Sequence, residues 1–235
     1  MQDGHALDPH NLNPVPSIDS REQFISRTYS HLFGAVLAFI GLEAALFASG
    51  LGEPLAQVML QGSWLIVLGA FIVVGWIASR VAHTVESLSM QYVALAGYVV
   101  AEVLIFVPMI YLAETMAPGA LEAAGIATIV GFSALTAIAF VTRKDFSFMK
   151  GFLMWAGVGA LALIVVNVAF GMALGPLFAV GMVLLAGASI LYDTSNVIHH
   201  YEEDRYVAAS LELFASVALM FWYVLRIAIV LMAED

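Results

Sequence analysis

Residues 91–113, QYVALAGYVVAEVLIFVPMIYLA, hold one charge, Glu102, in a run that is otherwise apolar, aromatic or small apart from Gln91. At 100° per residue the apolar positions cover every face of a helix, which leaves no face for water. At 1.5 Å per residue the segment is about 35 Å long, enough to cross the ~30 Å hydrocarbon layer of a bilayer. The same signature recurs outward from it, at 28–50 and 60–79 before and at 120–141, 149–172, 176–197 and 207–232 after. Charged or Pro/Gly punctuation separates these runs: LGEP after the first, ETMAPG after the third, TRKDFS after the fourth and HHYEEDRY after the sixth. No strand alternation competes with the helical period. The expectation is an all-α polytopic membrane protein with seven transmembrane helices in one bundle.

Composition agrees. The 235 residues are 62% hydrophobic and 11% charged, where a soluble domain carries about a quarter charged residues. Seven spans consume the chain and leave no room for a second domain. A net charge of -10 with only 8 Lys and Arg argues against a nucleic-acid surface, which needs clustered basic residues. The absence of cysteine excludes disulfides, thiolate metal sites and a cysteine nucleophile. The opening MQDGHALDPHNLNPVPSIDS has no basic stretch followed by an apolar core, so it does not read as a cleavable signal peptide. Residues 1–24 are expected to form a disordered polar arm, and residues 25–235 the bundle.

Seven spans place the termini on opposite sides. Arg21, Arg27, Arg80, Arg143, Lys144, Lys150 and Arg205 then fall on the N-terminal side. The opposite loops carry Glu53, Glu114 and Glu122 and no Lys or Arg, with Arg226 inside the last span. The positive-inside rule predicts a cytoplasmic N-terminus and a C-terminus across the membrane.

Four acids lie within spans: Glu43, Glu102, Asp193 and Glu212. Ionisable groups at that depth are costly and are candidates for function. Asp193 lies about five residues before the end of span six and Glu212 about five into span seven, which puts both ~7 Å below the N-terminal-side boundary. Two carboxylates sharing one site cannot both ionise cheaply, so they would titrate as a coupled pair. Deprotonated, they would offer oxygen ligands to a hard cation such as Ca²⁺. The same spacing also fits Glu212 reaching to the interface while Asp193 bonds Tyr or Ser neighbours. Arg80, near the same level, reads either as the counter-ion that competes for the pair or as an anchor of its helix end. Glu102 and Glu43 either extend an acidic path outward from Asp193 or are single acids bonded to neighbouring helices.

Several chemistries are disfavoured. The only lysines, Lys144 and Lys150, lie in a loop, so no span supplies a Schiff-base amine. No HExxH motif or phosphate-cradling glycine loop occurs. Gly187-Ala188-Ser189 superficially suggests an intramembrane serine nucleophile, but no histidine is spaced to activate it. His31, His83, His199 and His200 all fall toward the N-terminal side; with Asp193 they keep open a zinc-dependent membrane hydrolase, and otherwise read as interfacial residues able to sense pH. Small residues at Gly97, Ala101, Gly157, Gly159, Gly181 and Gly187 suit close helix approach. Pro108 removes one backbone hydrogen bond from span three and can kink it.

The segment ILYDTSNVIHHYEEDRYVAASLELFASVALMFWYVLRI (190–227), with FISRTYSHLFGAVLAF at span one, MQYVALAGYVVAEVLIFVP at span three, RKDFSFMKGFL before span five and the closing Arg226, resembles the Bax inhibitor family, in particular its bacterial branch. The resemblance covers about residues 24–232, and its most specific motif is Ile190-Leu191-Tyr192-Asp193. It implies six helices around a central seventh and a Ca²⁺ leak gated by pH through two acids. It also implies links to cell-death suppression in eukaryotes and to membrane-protein quality control in bacteria. The first acid of the family pair falls on Asp193. The second falls on Ser216, where this chain departs from the pattern, and Glu212 stands one helical turn away. The basic residue of span two has its nearest counterpart at Arg80.

The resulting expectation is a non-enzymatic, pH-sensitive cation leak of the bacterial inner (plasma) membrane. Its gate would comprise Asp193, Glu212, Ser216 and Arg80, with Glu102 and Glu43 along the ion path. Asp193 and Glu212 would hold Ca²⁺ transiently as the transported ion, with no resident cofactor. Its partners would be the lipid bilayer, Ca²⁺ and H⁺. The alternative is a non-conducting regulatory protein that binds other membrane proteins, such as a membrane protease, through its lipid-facing helices or its N-terminal arm.

Overall fold

A computed structural model describes residues 18–233, apart from 63, 86 and 173. Among the described residues eight helices follow in order: α1 (Ile18–Ala48), α2 (Gly52–Gln61), α3 (Trp64–Thr84), α4 (Leu88–Met116), α5 (Ala120–Thr142), α6 (Lys150–Ala169), α7 (Pro176–His199) and α8 (Tyr206–Met232). A single 3-10 turn at Ser147–Met149 leads into α6. All but α2 are long and apolar enough to cross a membrane, so the chain is an all-α polytopic membrane protein with the seven expected spans.

Two boundaries differ from the expectation. The run placed at 60–79 spans from Ile66 to Thr84, because α2 intervenes. Glu53 and Pro54 open that helix, and proline is tolerated in a first turn, where its missing N–H has no partner to lose. Gly52 is needed there: a Cβ would sit 2.8 Å from the Phe47 ring, so only glycine lets α2 fold back against the end of α1. The polar arm also ends earlier than residue 24. Ile18 onward is helical and Phe24 is buried against Tyr201, because an aromatic side chain there finds an apolar surface on the α7–α8 loop. Residues 1–17 of the expected arm lie outside the described residues.

The last span is central, as the family resemblance implies: α8 packs on α1, α3, α4, α5 and α7. It shares that position with α4, which packs on α1, α2, α3, α5 and α8. The reason is compositional. α4 is apolar all round, and such a helix is buried rather than amphipathic. The first turn of α8 carries Ala208, Ala209 and Ser210, all buried, and such small residues let neighbouring backbones approach closely. Between the two helices, Phe106 stacks on Phe221 at 5.3 Å and meets Trp222 edge-on at 5.0 Å, with Phe39 of α1 edge-on at 5.1 Å. Each such pair contributes about 0.5–1.5 kcal/mol beyond area burial. By contrast, α6 stands at the periphery. It packs on α7 and meets α3 without packing on α4, and Ala160 is its one buried residue among those described.

Pro108 lies inside an unbroken α4 and is buried, so it does not divide that helix into two.

Candidate functional site

The intramembrane acids gather polar partners at the end of the bundle where α1 begins and the α7–α8 loop turns. On α7, Asp193 accepts a 2.5 Å hydrogen bond from Ser216 Oγ of α8. One residue on, Thr194 meets the Tyr29 hydroxyl of α1 at 3.5 Å. On α8, Glu212 accepts a 2.6 Å hydrogen bond from Ser79 Oγ of α3 and lies 3.6 Å from His83 Nδ1. That nitrogen also faces the Ser79 carbonyl at 2.9 Å, so its surroundings are acceptors and favour a proton on Nδ1. His83 Nε2 meets the Tyr201 hydroxyl at 3.2 Å. Burial, with the charges of Glu212 and Asp193 behind it, pushes the Tyr201 phenol well above its usual range. It therefore stays a donor to His83.

The structure thus brings Asp193 and Ser216 together and sends Glu212 elsewhere. Among the described residues no hydrogen bond joins the two acids. Helix geometry explains this: Glu212 lies about 6 Å along α8 from Ser216 and is turned by about 40°. Ser216 faces α7, while Glu212 faces α3. The two acids of the expected pair thus each accept from a different serine, on adjacent helix contacts.

Arg80 is not the counter-ion. Its guanidinium lies over the Trp76 ring at 5.4 Å, on an exposed face, and among the described residues it makes no ion pair with either acid. The cause is azimuth. Ser79 and His83, four apart on α3, both reach Glu212, and Arg80 is rotated about 100° from Ser79. Ser79 and the bridging role of His83 are what reading the sequence missed. Their signal was a serine and a histidine at helical spacing on an otherwise apolar span.

Glu102 and Glu43 part company. Glu102 is 4% exposed, with Tyr98 one turn earlier as its hydrogen-bonding neighbour. It lines a cavity of about 670 Å³ that also reaches Ser216. Glu43 does not line that cavity; it is 5% exposed, and neither carboxylate oxygen has a partner. An isolated charge there would be costly. One continuous acidic path through Glu43 is therefore not formed.

The four histidines do not converge. His31 bonds Tyr92 and the Arg27 carbonyl, His199 the Ser195 carbonyl, and His200 lies 3.0 Å from Asp145. Among the described residues no three His, Asp or Glu side chains are grouped to hold a metal, so the zinc-hydrolase alternative lacks an assembled ligand set. Ser189 bonds back to the Leu185 carbonyl of its own helix.

Around this cluster the α7–α8 loop is clasped from several sides. Arg21 donates to the Tyr201 carbonyl at 2.7 Å, Ser20 to Glu203 at 2.7 Å, and Arg205 to the Val85 carbonyl at 2.9 Å. Asp145, in the α5–α6 loop, is held at a pKa of about 2, first by the Ser147 amide and then by His200. At this end Arg21 and Arg205 bind backbone carbonyls, and Arg27 and Arg80 lie over the rings of Tyr206 and Trp76, rather than on the intramembrane acids.

A family model described as Bax1-I, inhibitor of apoptosis-promoting Bax1, matches residues 21–234. An uncharacterized protein of Pseudomonas aeruginosa is 35% identical over 101 residues, which is 43% of this chain and 45% of the relative. A protein of Escherichia coli named modulator of FtsH protease YccA is 33% identical over 105 residues, 43% of this chain and 46% of the relative. YccA of a second strain, named an inner membrane protein, matches to the same extent. Each alignment spans just under half the length of the relative.

Proposed function

This chain belongs to the Bax inhibitor family, and from that premise we propose that it is a non-conducting regulatory membrane protein that binds other membrane proteins, in particular a membrane protease. The observation that carries the reading is the similarity to a relative named as a modulator of such a protease. The geometry supports it. Asp193 and Glu212 each spend an oxygen on a serine of a neighbouring helix, which ties α7, α8 and α3 together as a scaffold. In this reading the end rich in Arg and Lys faces the cytoplasm of a bacterium and the protein resides in the inner membrane. The test is reconstitution of the full chain with a membrane protease and a membrane-embedded substrate in liposomes. A several-fold change in degradation rate, together with co-purification of the two proteins, is expected. Deleting residues 1–17, which leaves α1 and the Ser20–Glu203 contact in place, separates the two docking modes: loss of the partner assigns docking to the arm, and retention assigns it to the helices. Absence of both a complex and a rate change overturns the reading.

A second reading, a pH-sensitive Ca²⁺ leak, is favoured by one feature: Ser216, the partner of Asp193, and Glu102 line the same cavity. In that reading the Asp193–Ser216 contact replaces the two-acid gate. Ca²⁺ entry into dye-loaded proteoliposomes, scanned from about pH 5 to pH 8, decides between them. Flux that Asp193→Asn alters supports the leak; absence of flux in folded wild-type protein removes it.

A further inference from the structure

The cavity beside Glu102 has a shape that neither reading uses. Its inner end is at Glu102 and Ser216, and its outer end is at Asn167, Leu174 and Arg226. Along α8 the distance from Ser216 to Arg226 is about 15 Å at 1.5 Å per residue. That is half of the ~30 Å hydrocarbon thickness, the depth one leaflet's acyl chains occupy. The walls between the two ends are apolar, contributed by α3, α4, α6, α7 and α8. One side is bounded by α6, which packs on α7 and meets α3 but does not pack on α4, so helix packing does not seal the cavity between α4 and α6.

The polar groups at the inner end are already engaged: Ser216 by Asp193 and Glu102 by Tyr98. The outer end differs. Arg226 uses one guanidinium nitrogen on the Leu174 carbonyl at 2.6 Å and carries further N–H donors. It is the one basic residue toward that face of the protein. A hydrocarbon-lined slot one leaflet deep, with a cation at the interfacial end, complements an amphiphile with an apolar tail and an anionic head. We propose that this cavity is a binding site for an anionic phospholipid of the leaflet opposite the N-terminus, with its headgroup at Arg226 and one acyl chain running inward toward Ser216.

Trp222 lines the cavity and supplies the probe. In full-length protein carrying Trp64→Phe, Trp76→Phe and Trp155→Phe, Trp222 fluorescence is followed in phosphatidylcholine vesicles. These contain increasing fractions of phosphatidylglycerol or phosphatidylcholine brominated midway along the acyl chain. Quenching by the brominated phosphatidylglycerol is expected to saturate at about fivefold lower lipid fraction, the preference one basic side chain provides for an anionic lipid. Arg226→Gln is expected to erase that preference and Arg226→Lys to keep it. Because Arg226 also fastens the α6–α7 loop, a second variant tests the slot without touching it. Gly157 lines the cavity and a Cβ there meets nothing within 4 Å, so Gly157→Phe places a ring in the path of the acyl chain and is expected to remove the saturable quenching. Equal quenching by the two lipids, a preference that survives Arg226→Gln, or a Trp222 that neither lipid quenches overturns the proposal; the last outcome assigns the cavity to water.

Discussion

Replacing Asp193 and Ser216 with alanine, singly and together, measures whether the α7–α8 contact carries the stabilisation its geometry implies. Hydrogen bonds between transmembrane helices contribute about 0.6 kcal/mol on average and up to about 1.7, while those to charged groups in proteins reach about 1.5–3 kcal/mol. The Ser216–Asp193 distance of 2.5 Å is at the short end of the range for a hydroxyl on a carboxylate, and Ser216 is 7% exposed. Both place this contact near the top of the membrane range, so the coupling energy of the cycle should be about 1.5 kcal/mol, close to tenfold in the unfolding equilibrium. The assay is reversible unfolding of the full chain in mixed micelles, followed by steric trapping or helical signal. The corresponding cycle for Ser79 and Glu212 should give only about 0.5–1 kcal/mol, because Glu212 is 30% exposed and its bond is less shielded from solvent. The cycle for Asp193 and Glu212 should be smaller than that for Asp193 and Ser216. A coupling below about 0.5 kcal/mol for Asp193 and Ser216, or a larger one between the two acids, would refute the assignment.

Three further outcomes follow from the same geometry. His83→Ala should destabilise the basic end of the bundle by about 1 kcal/mol through loss of the Glu212–His83–Tyr201 bridge, whereas Arg80→Ala should change stability by less than about 0.5 kcal/mol; thermal unfolding in one detergent compares them, and the reverse order would restore Arg80 as the counter-ion. Asp145 binds its proton more weakly folded, at about 2, than unfolded, near 3.9, so its contribution to stability is present above about pH 4 and lost as pH falls toward 2. Carbon NMR of the Asp145 carboxyl should give a midpoint near 2, and a midpoint near 4 would show the Ser147 and His200 contacts to be absent. Because the chain has no cysteine, Ser147→Cys and Thr115→Cys give single thiols at opposite ends: an impermeant maleimide applied outside intact cells should label Thr115→Cys and spare Ser147→Cys, and the opposite pattern would invert the proposed orientation.

Much of the architecture was legible in one dimension because a bilayer imposes a one-dimensional rule. Every backbone polar group must be satisfied within its own segment, so uninterrupted apolar runs of sufficient length are helices, and their number follows from counting. The candidate acids were legible for the same reason: Glu43, Glu102, Asp193 and Glu212 stand out wherever charge is expensive. The family resemblance marked Ser216 as the position of the second family acid, while the expectation paired Asp193 with Glu212 one turn away; the hydrogen bond of Asp193 goes to Ser216.

What the sequence alone determined is therefore the helical class, the seven spans, the asymmetry of basic residues between the two ends and the short list of buried acids, each of which depends on local composition. Only the tertiary structure decided which of those groups meet. Azimuth on a helix advances by 100° per residue, and the rotation of α3 against α8, which packing alone sets, puts Ser79 and His83 on Glu212 and leaves Arg80 outside. A single turn along α8 likewise separates Ser216, against Asp193, from Glu212, against α3. The α2 helix, the peripheral position of α6 and the one-leaflet cavity behind it arise from packing between segments distant in sequence, and no local pattern carries that information.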